Sequence, residues 1–180
     1  ETIRFDEVMG DWRPYSEVIP RALRRTMERF GLEYRDEDGR QAYESIGTFA
    51  PYPDVPPALA RLATKYPIVI LSNADDAQIA HNVARLGVPV HAVLTAEQAR
   101  AYKPRLAAFE YMLRTLGARP DEIVHVSSSP MYDHRPAQDC GITNKVLMDR
   151  GWEPHQPWLD YVRITDIAEL PGLLGVAAAA

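Results

Sequence analysis

Ser72 and Asn73 place a hydroxyl and an amide directly after the apolar run Ile68-Val69-Ile70-Leu71. Lys103 stands before Pro104 and supplies one positive charge able to hold a carboxylate ionised, while the proline keeps its neighbour out of helix. Asp133 follows Ser127-Ser128-Ser129-Pro130-Met131-Tyr132 and brings a carboxylate that can orient a water molecule as a general base. Together they can bind an anionic group, hold a carboxylate ionised and orient a water molecule. Each also has a plain structural use. A Ser-Asn pair ends many strands as a turn and helix cap, a lysine before proline is commonly solvated, and Asp133 can cap the helix after it. The buried strand before Ser72 and the order of the motifs favour the site.

Such residues act together only if a sheet delivers them to one crevice. The run at 68–71 reads as a buried parallel strand whose carboxyl end faces that crevice. Strands at 90–94, 123–126, 145–148 and 162–164 alternate with helices at 57–64, 76–86, 106–116, 133–140 and 167–174, which implies βαβ units and a parallel sheet. Before them, residues 1–13 show no clear period. Ile19, Ala22, Leu23, Met27 and Phe30 stripe a helix that Ser16 could cap, that holds Pro20 in or near its first turn, and that Gly31 stops; a weaker helix spans 36–46. Four prolines in the eight residues Ala50 to Pro57 mark a boundary. We therefore expect a helical cap segment over 1–50 and an α/β core over 51–176, with Ala177 to Ala180 frayed.

The formal net charge of −5, with basic and acidic residues interspersed, argues against nucleic acid or an anionic membrane as partner. Cys140, the one cysteine, allows no internal disulfide and no CxxC motif, so a reducing, cytoplasmic setting is the expectation. No apolar run reaches the roughly 18 residues of a membrane span. His125, inside an apolar strand, reads as a satisfied core residue, His134 as a helix-start residue near the mouth of the crevice, and Cys140 as a small packed hydrophobe. The adjacent Asp75 and Asp76 point in different directions and read as helix N-terminal charges, not as a metal site.

The ordered set Leu71-Ser72-Asn73, Tyr102-Lys103-Pro104 and His125 to Asp133, then Pro136-Ala137 and Gly141, resembles the haloacid dehalogenase-like superfamily. Within it the set is most similar to the 2-haloacid dehalogenase (type II) branch, as are Tyr15 to Val18, Phe49 to Pro53 and Thr95 to Gln98. The resemblance implies a Rossmann-like parallel sheet with a helical cap, a small carboxylate substrate, no cofactor and, from the family alone, a homodimer. It implies that an aspartate displaces halide and that water hydrolyses the resulting aspartyl ester. Lys103, Asp133 and Ser72 would be the catalytic residues, and Asn73, solvating the departing halide, and Ser129 would bind substrate.

The family's first motif, a strand ending Asp-x-Tyr/Asp-Gly-Thr, is not found. Phe5 to Gly10 comes nearest, with Asp6 as the candidate nucleophile, but Val8 and Gly10 depart from the pattern and the preceding residues make a poor buried strand. The family's early-cap arginine is also unassigned. Since that strand is central in the superfamily, the expectation is a sheet lacking its first strand, in a parent protein that carries the segment before Glu1. Two alternatives stand beside this reading: a Mg²⁺-dependent phosphatase of the same superfamily, and an inactive relative that binds a ligand or partner. The loop Ser127 to Tyr132 before a single Asp133 offers few ligands for the phosphatase's metal.

Overall fold

The structure, a computed structural model, describes residues 2–176; the expected fraying of Ala177 to Ala180 lies outside them. Three helices come first: α1 (Thr2–Met9), α2 (Tyr15–Arg29) and α3 (Asp36–Ile46). The helix α1 spans residues in which the sequence shows no clear period. Its sequence has no clean apolar stripe, and tertiary contacts hold it instead. Buried Glu7 accepts hydrogen bonds from Arg21 at 2.9 Å and Arg25 at 2.7 Å, and the Phe5 ring packs edge-on to Tyr132 at 5.4 Å. Burial alone would raise the Glu7 carboxyl, but the two arginines outweigh it and hold its pKa below the ordinary value.

In α2 the buried residues Tyr15, Val18 and Ala22 follow helical spacing, Pro20 lies inside the helix, and the chain leaves through Gly31 at φ 68°. Ser16 is not the cap; Pro14 holds that position and its carbonyl accepts from Glu17 and Val18. At Gly39 of α3 an added Cβ would stand 2.8 Å from the Pro20 Cβ and would clash with the Tyr34 hydroxyl, so a glycine sets how closely α2 and α3 approach.

The second part alternates strand and helix: α4 (Val55–Leu62), β1 (Val69–Ser72), α5 (Asp76–Ala84), β2 (Ala92–Thr95), α6 (Ala96–Ala99), α7 (Leu106–Leu116), β3 (Val124–Ser127), α8 (Arg135–Asp139), β4 (Asn144–Met148), β5 (Val162–Ile164) and α9 (Glu169–Leu173). A π-helical turn over Pro130–His134 runs into α8. All pairings are parallel. They form two sheets, β1-β2 and β3-β4-β5, with Leu71 opposite Leu94 and Val126 opposite Val146. Among the described residues no ladder joins β1 to β3, the two strands between which the expected central strand would lie.

Side chains tie the two sheets where the backbone does not. Strand alternation sends Val69 and Leu71 to one face, into a cluster with Leu94, Phe109, Met112, Ala137, Ile142 and Ile123. Ile68 goes to the other face, with Leu62, Val126, Val146, Met148 and Leu170. Phe109 is fully buried, which contributes about 1.5–3 kcal/mol relative to an exposed ring. A third cluster joins Val8, Tyr15 and Val18 of the helical layer to Ala74, Ala96, Tyr102 and Tyr132, which follow the carboxyl ends of β1, β2 and β3. The helices therefore lie over the strand ends from which the candidate residues emerge.

Candidate active site

At the end of β1 the Ser72 hydroxyl accepts from the Ala74 amide at 3.1 Å and shapes the turn. Asn73 reaches across to the loop after α6. Its Nδ2 donates to the Lys103 carbonyl at 2.9 Å and its Oδ1 accepts from the Lys103 amide at 2.7 Å. This two-point clamp fixes the backbone from which the lysine side chain extends. The amide hydrogen expected to face a departing halide is in part spent on Lys103.

Lys103 Nζ lies 2.7 Å from Oδ1 of Asp133, and His125 Nε2 lies 3.2 Å from the same oxygen. The Lys103 and Asp133 side chains are only 13% and 7% exposed, so water screens the pair little. Burial alone would push the Asp133 carboxyl up; the Lys103 charge and the His125 hydrogen bond outweigh it and hold the group well below the usual carboxylate range. Asp133 is thus an ionised, oriented carboxylate. Its position comes from the π-helical turn, in which the Asp133 and His134 amides both donate to the Ser129 carbonyl, at 3.2 and 3.3 Å.

Ser129 faces another partner. Its hydroxyl accepts from the Tyr132 amide at 3.1 Å and donates to Glu153 Oε1 at 2.6 Å, so it staples the turn to the loop after β4. His134 is corrected from a position near the mouth to complete burial, with Nε2 2.9 Å from the Ser127 carbonyl and the ring 5.0 Å from Tyr161. Burial pushes its pKa down to about 4. Asp6 lies exposed on α1, paired with Arg25 at 2.7 Å, and not at a strand end. Asp75 caps α5 by accepting from Gln78, and Asp76 accepts from Thr95 and Gln98, in keeping with their reading as helix-start charges.

The structure therefore brings together Asn73, Lys103 and Asp133, leaves Ser72 at the neighbouring turn, and turns Ser129 toward Glu153. Sequence reasoning missed His125 and Glu153. A histidine two positions before Ser127 shares its strand face, which was the one available signal, yet that pattern is equally that of a core residue. Among the described residues no group of three His, Cys, Asp or Glu side chains is placed to hold a metal ion, and no helix is long and apolar enough to cross a membrane.

A cavity of about 270 Å³ opens between the helical layer and the strand ends, lined by Trp12, Pro14, Tyr15, Ser16, Tyr43, Ala74, Asp75, Ala77, Glu97 and Tyr102. Ala74 and Tyr102 adjoin Asn73 and Lys103 in the chain. Burial pushes the Tyr102 and Tyr43 hydroxyls up, so both rings line it in the neutral form, with Tyr43 hydrogen-bonded to Asp75.

The family model for haloacid dehalogenase-like hydrolase matches residues 7–141, a span that contains Asn73, Lys103, His125 and Asp133. The chain belongs to the haloacid dehalogenase-like hydrolases. It is 32% identical to an (S)-2-haloacid dehalogenase of Xanthobacter autotrophicus over 129 residues, covering 68% of this chain and 49% of that protein. With (S)-2-haloacid dehalogenase 1 of Pseudomonas sp. (strain CBS-3) it shares 26% identity over 172 residues, 93% of this chain and 75% of the relative. Among solved structures, the L-2-haloacid dehalogenase from Xanthobacter autotrophicus with chloropropionic acid covalently bound aligns at a TM-score of 0.78 and 24% identity, over 98% of this chain and 82% of that one. That likeness is one of fold: parallel sheets under helices, as the sequence implied.

Proposed function

We propose that this site serves hydrolytic dehalogenation of a small 2-haloacid through an aspartyl-ester intermediate. The observation that carries the reading is the buried Lys103–Asp133 pair, clamped by Asn73 at the strand ends of a haloacid dehalogenase-like hydrolase. In this reading Lys103 holds the attacking carboxylate ionised and receives the substrate's negative charge. Attack on the substrate's halogen-bearing carbon forms a carbon–oxygen bond as the carbon–halogen bond breaks, and halide leaves with the bonding pair. Asp133 then orients the water that opens the ester. Among the described residues no carboxylate besides Asp133 is paired with Lys103, and Asp6 on α1 does not answer to the attacking role. The relatives named (S)-2-haloacid dehalogenase and the covalent chloropropionic acid of the solved structure support the substrate class.

Residues 1–50 act in this reading as a cap over a core of 51–176, with the cavity between them admitting the organic part of the acid; Ser72 holds the turn that brings Ala74 to its wall, and Ser129 holds the turn that carries Asp133. Its aromatic walls with Asp75 and Glu97 disfavour a second carboxylate on the substrate. We also propose a homodimer and a cytoplasmic setting, the former to be tested by light scattering of the purified protein. The deciding experiment is halide release from L-2-chloropropionate by the full-length protein and by its Lys103→Ala and Asp133→Asn variants. Loss in both variants is expected. Normal turnover by both would defeat the assignment, and turnover of a phosphoester that stops with EDTA would favour the phosphatase reading.

A further inference from the structure

His125 is the one member of the polar cluster with no role so far. It is 9% exposed and stands on β3, where alternation puts it on the face opposite Val126. Its ring is fixed by Phe109 at 5.4 Å and by His134 at 5.8 Å in an edge-on contact. Because Asp133 is an ionised acceptor, the 3.2 Å contact is a hydrogen bond only if Nε2 carries the proton, which assigns the tautomer. Lys103 Nζ meets the same Oδ1 at 2.7 Å, and among the described residues no hydrogen bond falls on Oδ2.

We propose that His125 is a positioning residue: its Nε2–H and the Lys103 ammonium converge on Oδ1 of Asp133 and so reserve Oδ2 for the hydrolytic water. The proposal rests on the hydrolase reading of this site. In that reading Lys103 serves the attacking carboxylate as well as Asp133, so its three donors are shared between two acceptors. The His125 bond gives Asp133 an anchor that this sharing leaves untouched. The ionisable groups around the ring are Asp133, Lys103 through the shared oxygen, His134 of the π-helical turn, and Lys145, its register partner on β4, whose ammonium donates to Gln138 at 2.6 Å.

The test uses the full-length protein with His125→Phe, which keeps a ring of similar size without the donor, and His125→Gln, whose terminal amide can present a donor near the position of Nε2. Two readouts are taken. One is the titration of the Asp133 carboxyl carbon by NMR, its signal assigned with Asp133→Asn; the other is rapid-quench kinetics that separate the halide burst from ester decay. In His125→Phe the Asp133 midpoint should move up and ester decay should slow about tenfold, the loss expected for one hydrogen bond to a charged group. The halide burst should be unchanged, and His125→Gln should restore both quantities. An unmoved Asp133 midpoint with normal ester decay in His125→Phe overturns the proposal. Should that variant fail to fold, His125→Asn, too short to reach Oδ1, takes its place, and identical titrations for the Asn, Gln and wild-type proteins would overturn it. If the wild type releases no halide, the substrate reading fails, and the NMR titration still decides whether His125 holds Asp133.

Discussion

Replacing Lys103 by methionine keeps the aliphatic stem and removes the charge, which leaves Asp133 buried with His125 as its remaining donor. At 7% side-chain exposure Asp133 cannot recover its hydration without local opening. Breaking a buried pair by removing one partner costs about 3–5 kcal/mol, and the retained His125 bond puts the expectation near the lower end, about 3 kcal/mol at neutral pH. That is a large share of the roughly 5–15 kcal/mol that holds a domain folded. The pH dependence gives the sharper test. In the wild type the folded pKa of Asp133 lies below its unfolded value of about 3.9, so its stabilising contribution is fully present above that value and is lost only as pH falls through the folded pKa. In Lys103→Met burial is no longer countered by the ammonium and the folded pKa rises, so the variant relieves its buried charge by taking a proton as the solution is acidified. The deficit of the variant should therefore shrink between about pH 7 and pH 4.5, while the Asp133 contribution in the wild type is still intact. Charging of His134 over the same range is common to both proteins and cancels in the difference. Urea denaturation at the two pH values measures it, with Lys103→Met/Asp133→Asn as the double variant that removes both charges. The double variant should be more stable than Lys103→Met alone by about 2 kcal/mol at neutral pH. A cost below about 1 kcal/mol, an equal cost at both pH values, or additive single effects would refute the reasoning.

Asn73→Ala deletes both hydrogen bonds to the Lys103 backbone and should lower stability by about 1–3 kcal/mol by denaturant titration. It should also slow halide release by the full-length protein, because the lysine loses its anchor. His134, with a folded pKa of about 4 against an unfolded value of about 6.5, binds fewer protons folded than unfolded between those values, so stability should fall as pH drops through that window. The loss reaches about 3 kcal/mol, and a pH series of melting curves should be flatter in that range for His134→Phe. Gly39→Ala drives a methyl into the Pro20 ring, whose position α2 fixes, and should destabilise the α2–α3 contact by about 1–3 kcal/mol despite the better helix propensity of alanine. Hydrogen exchange confined to those two helices would report it.

The strands were legible because apolar runs bounded by small polar residues have few other fates: 69–72, 124–127 and 144–148 fall within a residue of where the apolar pattern puts them. Residue type and motif order single out Lys103 and Asp133 in the sequence, and the structure places them 2.7 Å apart. What escaped depends on partners distant in the chain. The helix α1 is held by Glu7 against Arg21 and Arg25 and has no strong period of its own. Ser129 finds its acceptor in Glu153, 24 residues on, and no local pattern marks that pairing. His125 reads as core in the sequence because burial and alternation look the same for a histidine that only packs and for one that donates to a carboxylate; the π-helical turn that brings Asp133 back to it has no counterpart in the apolar pattern.

The same long-range contacts bear on why the site and the fold are hard to separate. Among the described residues β1 and β3 share no backbone ladder, so nothing in the hydrogen-bonded sheet itself holds their ends together. The polar chain does so: Asn73 at the end of β1 grips the Lys103 backbone, the Lys103 ammonium grips Asp133 after β3, and Asp133 is returned to β3 through His125. Each link is buried or half-buried and involves a group that is costly to leave unpaired, so the chain resists partial loss more than a row of surface contacts would. A substitution anywhere along it should move stability and ester hydrolysis together, whereas Met112→Ala, in an apolar cluster but without a ring against His125, should move stability alone. That contrast, measured by pairing denaturation with single-turnover kinetics on Asn73→Ala and on Met112→Ala, separates a network that serves the chemistry from one that only fastens two sheets.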